Sequence, residues 1–327
     1  MRSMAKRRSR RTVLAVPGSS ERFLAKSKTL GVDAVFLDLE DAVAPAAKIE
    51  ARGRIVQALL EGGWRAPTVT VRVNDWTTSW TYGDVAEVVG AAGRHIDALV
   101  LPKVTCPEHV VALDLLLTQV ERTFDLPVGG IGLEAQIEEA KGLINAAAIA
   151  GASPRLETLV FGPGDYMASM GMATTNVGAQ PPGYLGDAFH HALMTVLTAA
   201  RAHSLQAVDG PYVAIADAAG FGESAARAAA LGYDGKWVLH PAQVEVCNEV
   251  FTPSERDFAR AAKIEAAYAA AAMNGGGAVG AIVVDGEMVD EAGMKVAQAI
   301  LARGRAAGRG LAAPAGMSKA DPELRKT

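Results

Sequence analysis

The sequence predicts an α/β fold: a TIM (β/α)8 barrel with a small C-terminal lid module. Three observations carry this. Short β-type runs recur eight times with helical patterns between them. Polar residues gather at the downstream ends of those runs. A half-apolar chain of 327 residues can bury one large core and an appendage.

The runs cover residues 12–17, 34–40, 68–74, 97–104, 130–138, 158–162, 206–211 and 236–240. Strands that alternate with helices make right-handed parallel βα units, and eight such units close a barrel. Thr105-Cys106-Pro107-Glu108 reads as a capping box, after which Val110, Leu113, Leu117 and Val120 fall on one helical face. Residues 225–231 read as helix stopped by Gly232. Beyond the eighth run, helices are expected from Pro241 and over 254–273. A hinge at Gly275-Gly276-Gly277 then leads to a strand at 281–284 and a last helix at 294–303. The layout is a basic flexible segment at 1–10, a barrel at 11–250, a lid module at 251–308 and a disordered polar tail at 309–327.

Composition limits the partners. A formal net charge of −4 gives no field that draws the chain to nucleic acid or to an anionic membrane. No stretch reads as membrane-spanning: the longest uncharged one, 266–284, is split by Asn274 and the three glycines. The basic first residues lack an apolar run and do not read as a secretory signal. The two cysteines, Cys106 and Cys247, have neither disulfide-framework nor zinc spacing, which fits a reducing, cytoplasmic setting.

In this barrel class the active site lies at the C-terminal ends of the strands. Those ends read Asp38-Leu39-Glu40-Asp41, Arg72-Val73-Asn74, Lys103, Gln136-Ile137-Glu138, Gly162-Pro163-Gly164-Asp165, Asp209-Gly210-Pro211 and Leu239-His240-Pro241. Alternation places Asp38 and Glu40 on one face of their strand, and Glu134 and Glu138 on one face of theirs. Carboxylates crowded around one axis do not all stay ionised without a cation. Hard oxygen ligands with room for water suit Mg2+ or Mn2+. Plainer readings stand beside this one. Such carboxylates also pair with Arg72 and Lys103. Glu134, deeper than Glu138, fits a scaffold role. His240 is either a core histidine with a satisfied hydrogen bond or a ligand contact, and Met167, Met170 and Met172 read as packing.

Taken in order, RTVLAVPG (11–18), VFLDLEDAVAP (35–45), VRVN (71–74), LPKV (101–104), FGPGDYMASMGM (161–172), VDGPY (208–212) and GKWVLHPAQV (235–244) resemble the citrate lyase β-subunit/HpcH-HpaI aldolase superfamily. Within it the likeness is to the L-malyl-CoA/β-methylmalyl-CoA lyases. With NEVFTPSE (248–255) and GEMVD (286–290) it spans residues 11–303. The resemblance implies a Mg2+-dependent carbon–carbon lyase that cleaves malyl-CoA-type thioesters to glyoxylate and acetyl-CoA or propionyl-CoA. It implies Glu138 and Asp165 as metal ligands and Arg72 as a catalytic, substrate-contacting group. Lys26, Gly164, Leu239 and His240 fall at substrate-lining positions, and Glu40, Asp41 and Lys103 at supporting ones. Asp290 corresponds to an aspartate donated to a neighbouring subunit of a trimer or hexamer, where it moves the proton at the thioester α-carbon. The chain departs from the pattern at Ser20, where relatives often carry arginine and where Arg22 is the nearest substitute, and at Ala15, an aromatic position in some relatives. Citramalyl-CoA lyase, a citrate lyase β-subunit, malyl-CoA thioesterase and a non-catalytic binding barrel are the alternatives.

Overall fold

The structure, a computed structural model, describes residues 7–274 and 280–310. The expected hinge at 275–277 and the tail beyond 310 lie outside the described residues. The chain divides between Phe251 and Thr252 into two compact units.

The first unit is a closed parallel barrel. Its strands are β1 Thr12–Pro17, β2 Ala34–Asp38, β3 Thr68–Arg72, β4 Ala98–Leu101, β5 Gly132–Ile137, β6 Leu156–Phe161, β7 Gln206–Asp209 and β8 Gly235–Val238. They pair in sequence order, and β8 returns to β1. Several strands stop one to three residues before the expected ends, so Glu40, Asn74, Lys103 and Glu138 lie just past the ladder. The apolar alternation runs on there while the strand pairing has ended.

Alternate residues of each strand point inward. Val13, Ala34, Phe36, Val100, Val160, Val208 and Trp237 fill the middle of the lumen. Phe36 and Trp237 pack with ring centroids 4.2 Å apart. The opposite strand faces pack on the surrounding helices. One of these, Pro107–Thr123, buries Val110, Leu113, Leu117 and Val120 as the spacing predicts.

Its cap differs from expectation. The N-cap is Cys106, with no side-chain hydrogen bond into the helix, and Pro107 occupies the first turn. The Thr105 carbonyl instead accepts from Asn145 Nδ2 at 2.8 Å. The helix read at 225–231 spans Ala218–Leu231, capped by Asp217 and ended by Gly232 in the left-handed region at φ 110°.

Of the basic N-terminal segment, residues 7–10 are described. Arg8 and Arg10 are paired there and close the N-terminal end of the barrel. Arg8 Nε donates to Glu157 at 2.8 Å and Arg8 Nη1 to Asp97. Arg10, 2% exposed, donates to Glu134, at 3.1 Å to Glu157 and at 3.4 Å to Gln206. A run of arginines reads as a solvated tail until its acidic partners, more than 80 residues away in the chain, are in view. Glu134 is thus a scaffold residue.

The second unit holds the helix Glu255–Asn274, the antiparallel hairpin of β9 Ala281–Val284 and β10 Glu287–Asp290, and the helix Glu291–Ala306. Asp285 and Gly286 turn the hairpin with φ of 52° and 81°, as a two-residue loop of right-twisting strands requires. Phe258, Ala261, Ile264, Val284, Val289, Ala297 and Leu301 form its core. β10 is absent from the sequence reading, and the last helix is longer than the expected 294–303. Among the described residues no helix is long and apolar enough to cross a membrane, and Cys106 and Cys247 are both free.

Candidate active site

The C-terminal ends of β2 to β6 bring one cluster of charges together. The parallel register places Asp38 beside Arg72. Arg72 donates to both Asp38 oxygens, at 2.7 and 2.6 Å, and its Nη1 lies 3.0 Å from Glu40 Oε2. The guanidinium rests 5.3 Å above the rings of both Phe36 and Trp237. Burial alone raises a carboxyl pKa, but the Arg72 charge, its hydrogen bonds and the Glu40 and Ala42 backbone N–H groups hold Asp38 below the usual range.

Lys103 follows Pro102 with φ of 50°, a left-handed conformation uncommon outside glycine. Its backbone N–H donates to Glu138 Oε1 at 2.7 Å. Its ammonium pairs with Glu40 and lies 3.4 Å from Asp41 and 3.5 Å from Asp165. Burial pulls the ammonium pKa down, and Glu40 more than restores it, so it stands above its ordinary value.

Glu138 is 3% exposed. Its second oxygen accepts from Gln136 Nε2, while Gln136 Oε1 is buried without a partner among the described residues. A Cβ at Gly162 would collide with Glu138 Oε2, so this position has to be glycine for the carboxylate to sit here. Among the described residues no lysine or arginine side chain forms an ion pair with Glu138. Burial, then the charges of Asp165 and Glu40, push its pKa up to about 8. An added cation would stabilise the charged form of a carboxyl so placed. Among the described residues no group of three or more His, Cys, Asp or Glu side chains is arranged to hold a metal. Glu138 and the half-exposed Asp165 form a two-carboxylate set that leaves further positions to water or substrate oxygens, a donor chemistry that fits Mg2+.

A cavity of about 160 Å³ lies at the same end, lined among others by Ala15, Phe23, Lys26, Leu30, Leu239 and His240. It brings together three of the four positions expected to line substrate. His240 is exposed, and its Nδ1 accepts from Ala242 N–H at 3.1 Å, so it caps the following turn. Gly164 is outside this lining, and a Cβ there would make only ordinary contact with Val177 at 3.7 Å. A larger groove of about 480 Å³ lies on the outer surface between the helices Glu21–Ser27 and Lys48–Glu61, away from the charge cluster.

Three residues at this end were not singled out. Lys48 is buried and donates to the Leu39 and Glu40 carbonyls at 2.8 and 2.9 Å, which ties down the turn after β2. Gln136 orients Glu138. Asp84, fully buried, fixes Asn74 and Arg52. Lys48 reaches backbone carbonyls and Asp84 partners ten or more residues away, so no local pattern marks them; Gln136 lies two residues from Glu138, and strand alternation puts the two on one face. In the second unit, Asp290 is exposed at the end of β10, and its Oδ1 accepts from Gly293 N–H at 2.9 Å as a helix N-cap.

The profile of the HpcH/HpaI aldolase/citrate lyase family matches residues 11–241, from the start of the barrel to the turn after β8. The chain belongs to the HpcH/HpaI aldolase/citrate lyase family. It is 39% identical over 303 residues to an L-malyl-CoA/β-methylmalyl-CoA lyase of Cereibacter sphaeroides, covering 90% of this chain and 94% of that protein. A (3S)-malyl-CoA thioesterase of the same species is 38% identical, with 90% of this chain and 95% of that protein covered. Among solved structures of the fold, the CitE protein of Mycobacterium tuberculosis in complex with magnesium, acetoacetate and coenzyme A superposes with a TM-score of 0.69 at 28% identity, covering 90% of this chain and 97% of that one.

Proposed function

We propose that this protein is a Mg2+-dependent CoA-ester lyase that cleaves L-malyl-CoA or β-methylmalyl-CoA to glyoxylate and acetyl-CoA or propionyl-CoA, reversibly. The observation that carries the reading is Glu138: a buried carboxylate without a cationic side-chain partner, beside Asp165, at the catalytic end of the barrel. The likeness to a malyl-CoA/β-methylmalyl-CoA lyase along 90% of the chain supports the substrate class.

Glu138 and Asp165 would hold the Mg2+ (or Mn2+), which when bound supplies a Lewis acid for the substrate carboxylate and hydroxyl oxygens. Arg72, cationic at every working pH, places fixed positive charge where negative charge develops on substrate oxygens. Asp38 and Glu40 keep that guanidinium in one orientation. Once the substrate hydroxyl has passed its proton to water, the bond to the thioester α-carbon breaks. Its electron pair passes to the thioester enolate, and the alkoxide carbon becomes the aldehyde of glyoxylate. Asp290, reaching the site of a neighbouring copy in a homotrimer or hexamer, returns a proton to the enolate carbon; in condensation it removes that proton. Asp290 is exposed, as such a donor must be.

The likeness to a (3S)-malyl-CoA thioesterase motivates a second reading, hydrolysis of the thioester. One assay separates the two. Purified protein with malyl-CoA and Mg2+ is expected to release glyoxylate and acetyl-CoA, and EDTA is expected to stop it. Free malate and CoA without glyoxylate would establish hydrolysis instead. No glyoxylate from a folded, Mg2+-loaded protein would remove the malyl-CoA assignment.

A further inference from the structure

Lys103 sits in the left-handed region, and a non-glycine residue held there marks a position that its surroundings over-determine. Both of its ends reach the same pair of carboxylates. The backbone N–H fixes one oxygen of Glu138 at 2.7 Å, and the ammonium reaches Asp165 at 3.5 Å. The ammonium also pairs with Glu40, which in turn contacts Arg72. Only a quarter of the side chain is exposed. No other side-chain cation reaches Asp165 among the described residues.

We propose that Lys103 is a built-in counter-cation of the metal site, a positioning residue that holds Glu138 and Asp165 in place before the metal arrives and releases Asp165 when it binds. The inference rests on the assignment of Glu138 and Asp165 as the metal carboxylates. It has an unusual consequence. A group that merely props up the site would weaken metal binding when removed. A counter-cation stabilises the metal-free protein more than the metal-bound one, because its charge opposes the incoming Mg2+. Its removal therefore tightens Mg2+ binding while the enzyme slows, since Glu40 keeps Arg72 as its one cationic partner among the described residues and pulls on that guanidinium alone.

The test is calorimetric titration of Mg2+ into the full chain without substrate, for the wild type, Lys103→Met, Lys103→Gln and Lys103→Arg. Lys103→Met and Lys103→Gln are expected to bind Mg2+ about tenfold more tightly, the order of effect of one nearby charge partly screened by solvent. Their metal-free melting temperatures are expected to fall, and added Mg2+ to raise them by more than it raises the wild type. Lys103→Arg keeps the charge and is expected to stay near the wild type. Two neutral variants guard against one that fails to fold. Unchanged or weaker Mg2+ binding in folded Lys103→Met and Lys103→Gln would overturn the counter-cation role and leave the lyase reading standing. A wild type that binds neither Mg2+ nor Mn2+ would overturn the metal assignment and this proposal with it.

Discussion

Glu134 and Glu138 share a strand region, a residue type and an inward direction, yet they belong to different kinds of chemistry. At the N-terminal end of the barrel, Glu134 meets Arg10, Glu157 meets Arg8 and Arg10, and Asp97 meets Arg8. Each acid there has a guanidinium. At the C-terminal end, Asp38 and Glu40 share Arg72 and Lys103, while Glu138 is held by two neutral donors. What separates scaffold from site is the supply of positive charge: one end is self-sufficient, and the other is short of a cation.

The sharpest way to break that contrast is to remove the acids one at a time. Glu138→Ala is expected to cut turnover on the order of a thousandfold and abolish the Mg2+ response, with no loss of thermal stability, because it deletes a buried carboxyl that no side-chain cation pairs among the described residues. A cooperative melt well below the wild type would place Glu138 with the scaffold. Glu134→Ala is expected to do the reverse. It leaves Arg10 with one carboxylate, Glu157, which Arg8 shares, and costs about 3 kcal/mol in denaturant unfolding, with kcat near the wild type at temperatures where the variant is folded.

Asp290→Asn extends the comparison to the second unit. Asparagine caps a helix as well as aspartate does, so the fold stands, whereas turnover is expected to drop about a hundredfold. Near-normal glyoxylate release would end its proposed role. The smallest effect is on pH. Glu138 keeps its proton to about pH 8 when folded and only to its ordinary 4.5 when unfolded. The stability this proton confers is complete below pH 4.5 and is lost as pH rises toward 8. In EDTA, metal-free protein is expected to lose about 1 kcal/mol per pH unit over the upper part of that range, and Glu138→Gln to flatten the slope. An equal slope in both proteins would assign the titration elsewhere.

Much of the barrel is legible in the sequence because its strands are buried on both faces and stand out as apolar runs between helical stretches. Their ends are less legible. The strands end at Asp38, Arg72 and Leu101, with a last bond from the Leu39 and Val73 N–H groups to the neighbouring strand, but nothing in the composition changes there. Of the site, alternation foretells that Asp38 and Glu138 share the lumen. It does not foretell that Asp38 belongs to Arg72, a pairing set by β2–β3 register across 34 residues. Lys48 was invisible for a different reason: its acceptors are main-chain carbonyls. The capping box does not form because the helix starts at Pro107, which makes Cys106, not Thr105, the N-cap. The arginines at 8 and 10 misled because an isolated basic run carries no sign of the acids it will meet.

The apolar band through the middle of the lumen has one more consequence. The leading charged groups acting on Glu134 are Arg10, Glu157 and Arg8, and those acting on Glu138 are Asp165, Glu40 and Arg72. These leading sets do not overlap. Val13, Val100, Val160, Val208 and the stacked Phe36 and Trp237 act between them as a spacer; an apolar filling screens charge less than water does, so it is separation that keeps the two sets apart. A substitution at the base of the barrel thus reaches the mouth through that spacer's packing and length, and not through an ion pair common to both ends among the described residues.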